Sequence, residues 1–108
     1  DPGLIRENIA YMLEQFDSRD VIVVLAGMKM LSNLGPQYTS VFGEVYSGAA
    51  RGHDVIRVPF ILEGVAGMAD LNQPDGIHPT ADGYKVIATT LYPYVVKAIG
   101  RHRRKAAN

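Results

Sequence analysis

Asp75-Gly76-Ile77-His78-Pro79 places a carboxylate three residues before an imidazole, in a stretch whose glycine and proline mark a turn. At that separation the two side chains can hydrogen-bond within one loop. Such a bond selects the imidazole tautomer and leaves the second ring nitrogen free to take a proton from a hydroxyl nucleophile. Two of the three groups of a Ser-His-Asp relay are therefore next to each other. Taken alone, the same residues also describe a plain turn with a loop histidine satisfied by backbone.

The serines do not complete the relay. Asp17-Ser18 follows an apolar helical stretch and precedes a strand-like run, the reverse of the strand-turn-helix setting that exposes a nucleophilic serine. Capping or turn use suits it better. Ser32, Ser40 and Ser47 also lack that setting and read as loop or helix-surface hydroxyls. His53 and His102 have no partner at metal-ligand spacing, so neither a metal nor any other cofactor is expected.

Three helices and two strands must position the Asp-His pair. Asp1-Pro2 reads as a helix cap with proline at the first position, and Ile5, Ile9, Met12, Leu13 and Phe16 recur at helical spacing. Val21 to Ala26 is an unbroken, β-branched run, as in a parallel strand covered on both faces. A loop spans Gly27 to Pro36, and a helix from Pro36 to about Ala50 turns Tyr38, Phe42, Val45, Tyr46 and Ala49 inward. Val55 to Phe60 is the second strand. Glu63 to Pro74 is a long loop with a short helical turn.

Thr80 then caps a last helix, with Asp82 in its first turn and Val86, Ile87, Leu91, Tyr94, Val95 and Ile99 on its buried face. Pro93 should kink it. The alternation predicts an α/β fold with right-handed crossovers. Two strands covered on both faces would leave an apolar edge open, so further strands of the sheet are expected outside these residues.

Composition excludes several classes of function. The 108 residues suit one small domain or part of a larger one, and 11 acidic residues balance 11 basic ones, so no global field recruits nucleic acid. The cluster Arg101-His102-Arg103-Arg104-Lys105 reads as the frayed, solvated end of the last helix, and residues 101–108 as a basic tail without fixed structure. With no cysteine there are no disulfides or thiolate metal sites, and no apolar run is long enough for stable membrane insertion.

Asp75-Gly76-Ile77-His78-Pro79-Thr80 resembles the last block of the SGNH, or GDSL-type, hydrolases. Leu25-Ala26-Gly27-Met28, Asn33-Leu34-Gly35-Pro36 with Tyr38, Pro59 to Gly67, and Leu71-Asn72-Gln73 resemble the bacterial arylesterase branch, which is similar to the acyl-CoA thioesterase/lysophospholipase. The blocks stand in the family's order from Val21 to Ile99. The resemblance implies a flavodoxin-like three-layer α/β/α parallel sheet, of which residues 1–108 form the C-terminal portion. It implies a carboxylic-ester hydrolase in which His78 is the general base and Asp75 orients it, while Met28, Met30 and Leu31 line the acyl or leaving-group pocket. Ordinary packing is the other account of those three.

The family's Gly-Asp-Ser-Leu motif, oxyanion glycine and Gly-x-Asn-Asp motif have no counterpart here, so the resemblance places the nucleophile upstream. Its implied partners are a small acyl ester and the N-terminal part of the same enzyme. Self-association is compatible with it, and members are often periplasmic or secreted. A competing expectation is a non-catalytic remnant or interaction module that keeps the turn only to start its last helix.

Overall fold

In the computed structural model, residues 1–29 and 36–107 are described, with backbone alone over 36–42. The order is α1 (Pro2–Asp17), β1 (Val23–Ala26), α2 (Pro36–Ala50), β2 (Val55–Val58), a 3-10 turn (Ala69–Leu71) and α3 (Ala81–Ala107). The Asp1 carboxylate accepts from Gly3 N–H at 3.0 Å and so satisfies a donor at the start of α1. Pro2 needs no such partner.

β1 and β2 pair in parallel, with Val23 opposite Val55 and Ala26 opposite Val58. Side chains alternate across the pair. Val23, Leu25 and Val55 pack on the cluster of Ile9, Leu13, Val45 and Ala49, which joins α1 to α2 on one face. Ile56 and Val58 are buried on the other face, where α3 lies. The result is α/β/α layering, as expected for part of the flavodoxin-like sheet that the resemblance implies.

Three expectations need correction, the first two about burial. All four residues of β1 are only partly buried, and Arg57 of β2 is exposed. Met12 and Phe16 on α1 are exposed, and so are Val95 and Ile99 on α3. The reason is common to them: a two-stranded sheet is too narrow to cover helices of this length, so the apolar stripes continue past its edge. The third correction concerns residues 101–107, which are helical and not an unstructured tail. Arg101 pairs with Asp54 and Lys105 with Asp20, each at 3.0 Å, and these contacts hold the last turns against the start of both strands. Pro93 lies inside α3 without ending it.

Those ion pairs also orient the molecule. The C-terminal end of α3 lies by Asp20 and Asp54, just before β1 and β2. The start of α3, and the loop holding His78, therefore lie at the C-terminal ends of the strands, where open α/β sheets form their ligand crevice.

Candidate functional site

The residues from Leu71 to Thr80 form a closed loop tied at its base. Asn72 and Pro79 form an isolated antiparallel bridge, Gln73 N–H donates to the His78 carbonyl at 2.8 Å, and Thr80 N–H donates to Leu71 at 2.9 Å. The Asn72 amide donates to the Val65 and Met68 carbonyls at 2.8 and 2.9 Å, fastening the loop to the segment just before the 3-10 turn. Thr80 Oγ1 accepts from Gly83 N–H at 3.2 Å, so the loop ends as the cap of α3.

Gly83 is buried because α3 starts against the base of this loop. A β-carbon there would stand 2.2 Å from the Leu71 carbonyl oxygen. At the loop's tip Gly76 has φ +74°, a left-handed conformation that glycine adopts without penalty, and its N–H donates to Gln73.

Within this frame one carboxylate does two jobs. Asp75 Oδ1 accepts from the Ile77 and His78 N–H groups, both at 3.0 Å, and thereby shapes the backbone. Asp75 Oδ2 lies 2.6 Å from His78 Nδ1. The ring bond assigns the proton to Nδ1 and leaves the Nε2 lone pair free. No described residue bonds Nε2, and the His78 side chain is 64% exposed. The imidazole bond and the two backbone donors lower the Asp75 pKa from 3.8 to about 2. The acid is therefore a carboxylate throughout the neutral range.

The two serine hydroxyls described are engaged elsewhere, and Ser32 and the side chain of Ser40 lie outside the described residues. Ser18 Oγ donates to Gln15 and Ser47 Oγ to Glu44, each within its own helix. Met28 is half-buried just past the C-terminal end of β1, while Met30 and Leu31 lie outside the described residues. Gly27 brings the two strand ends together. Its N–H donates to Val58 at 2.8 Å, and a β-carbon would meet the Pro59 carbonyl oxygen at 2.5 Å.

Beyond it, Lys29 Nζ sits 5.0 Å over the Phe60 ring, beside a cleft of about 270 Å³ that also reaches Glu63, Thr90 and Tyr94. A second cleft, of about 390 Å³, shares Gly76 with the Asp75–His78 turn and runs past Met68, Asn72 and Gln73. Sequence reasoning did not assign Asn72, Gln73 or Gly83 any part in holding the pair. Polar and glycine residues within ten positions of the histidine were the available signal.

Known proteins are similar to this chain in sequence and in fold. Esterase TesA of Pseudomonas aeruginosa is 33% identical over 92 residues, covering 85% of this chain and 46% of that protein. An arylesterase of Vibrio mimicus is 27% identical over 96 residues, 89% of this chain and 48% of the relative. Among solved structures, TesA superposes with a TM-score of 0.84 at 31% identity, over 91% of this chain and 54% of its own. AlinE4, an SGNH-hydrolase family esterase, gives 0.66 at 37% identity, over 91% of this chain and 52% of its own.

The chain belongs to the SGNH-hydrolase family, on the arylesterase branch. No protein-family profile matches it. The chain spans about half the length of the SGNH relatives it matches. Its two-stranded sheet and the open apolar stripe on α3 agree with that share of an SGNH fold.

Proposed function

We propose that this chain supplies the acid-base pair of a carboxylic-ester hydrolase of the arylesterase type. The nucleophilic serine and the oxyanion-hole donors come from the upstream part of the same enzyme. The observation that supports the reading most is the His78 Nδ1–Asp75 Oδ2 contact of 2.6 Å, in a turn that leaves Nε2 open. In the first step Nε2 takes the serine proton as the oxygen attacks the ester carbonyl. The imidazolium, steadied by Asp75, then protonates the departing alkoxide, leaving an acyl-serine. Water attacks the acyl group next, with Nε2 again accepting the proton and returning it to serine.

Met28, just past the C-terminal end of β1, and Met30 and Leu31, which follow it in sequence, are proposed to contact the acyl or leaving group. The partner half would also cover the half-buried β1 and the exposed Tyr92, Val95, Val96 and Ile99 of α3. Without a nucleophile, the pair alone supports no more than weak imidazole-type hydrolysis.

The test is p-nitrophenyl acetate hydrolysis by this chain assembled with an upstream half carrying the serine and oxyanion blocks. His78→Ala should lower kcat by about 10⁶-fold while the circular dichroism spectrum is retained. Full turnover without His78 would remove the assignment.

A further inference from the structure

We propose that Gln73 is a positioning residue for His78, acting through the main chain on its far side. Asp75 holds His78 from the near side, through its N–H and its ring. The next residue, Pro79, has no N–H, so past the His78 N–H the main chain of these two residues offers only its carbonyl oxygens for tethering. Gln73 meets both. Its N–H donates to the His78 carbonyl at 2.8 Å, and its Nε2 donates to the Pro79 carbonyl at 3.2 Å, in a partly buried position.

The Gln73 carbonyl in turn accepts from Gly76 N–H at 2.8 Å, so the same residue also closes the turn that carries Asp75. Both members of the pair are thus referred to one residue. A base that must reach a hydroxyl on a separate segment gains from this, because a small misplacement of reacting groups is costly in rate. The carboxamide is the removable part of the tether, since the main-chain bonds survive substitution.

This inference rests on His78 being the base, and the experiment separates the two. Gln73→Met keeps length and apolar stem but removes the donor. In the assembled hydrolase its kcat should fall about tenfold with KM within about twofold of the parent. In the chain itself, the Asp75 titration midpoint, read by carboxyl carbon NMR, should rise from about 2 towards 3.8 as contact with the ring loosens.

Both changes are required. A parent kcat, or an unmoved Asp75 midpoint in a folded Gln73→Met, overturns the proposal. Should His78→Ala retain the parent rate, the catalytic reading falls instead, and the Asp75 titration still decides whether Gln73 holds the pair.

Discussion

Two aspartate–histidine pairs of nearly the same length lie at opposite ends of the sheet. His78 and Asp75 are 2.6 Å apart at the C-terminal ends of the strands, and His53 and Asp17 are 2.5 Å apart at the other end. The first pair is local, three residues apart, with its ring 64% exposed. The second joins the last residue of α1 to the turn before β2, 36 residues away, and its ring is only 18% exposed. The short contact is common to both, so the contact itself does not mark a base.

What separates them is the setting. His78 rides on a loop framed by backbone bonds, with its second nitrogen open, whereas His53 is packed between elements it holds together. The first arrangement presents a group, and the second fastens two parts of the chain. Each prediction below tests that division.

The largest effect belongs to the first pair. After His78 itself, Asp75→Ala in the assembled enzyme should lower kcat by about 10⁴-fold, less than loss of the base, because the imidazole remains but is no longer oriented. Steady-state kinetics decides this, and an Asp75 variant with parent kcat would make the pair decorative.

Gly83→Ala should come next. Its β-carbon would press on the Leu71 carbonyl at 2.2 Å, so the start of α3 must shift beneath the loop. Overpacking of this kind costs roughly 1–3 kcal/mol, readable by urea denaturation, and kcat should fall with it. Unchanged stability would show that the loop and helix are not tightly joined.

Substitution at the second pair should leave chemistry alone. His53→Ala is expected to keep kcat within about twofold, while losing about 1 kcal/mol and lowering the thermal midpoint by about 4 °C. A large loss of kcat in a folded His53→Ala would erase the contrast.

The smallest effect is on acid stability, because the Asp75 carboxylate is exposed and screened. Its folded-state pKa of about 2 lies below the ordinary 3.8, so its stabilisation is complete above 3.8 and is lost as pH falls through about 2. Carboxyl carbon NMR at about pH 3 should find Asp75 still ionised while ordinary carboxylates are largely protonated. A midpoint near 3.8 would mean that the ring and the carboxylate do not meet in solution.

The two pairs also show how far local patterning reaches. Asp75-x-x-His78 was legible because turn residues confine both groups to one loop, so spacing nearly implies contact. The helical periods of α1, α2 and α3 and the β-branched runs of both strands were legible too, since backbone periodicity is written in side-chain type. Asp17 and His53 carried no such signal. Each looked like an ordinary turn residue until α1 and the α2–β2 turn were brought side by side.

Exposure followed the same divide. Periodicity placed Ile9, Leu13, Val45 and Ala49 in a core, but it also promised cover to Met12, Phe16, Val95 and Ile99, which the narrow sheet leaves open. Sequence alone therefore determined the elements and the carboxylate–imidazole turn, because both depend on neighbours along the chain. Only the tertiary structure decided which apolar stripe is buried, which histidine is packed and which is presented. Those outcomes depend on what lies across the sheet, and no local residue pattern encodes that.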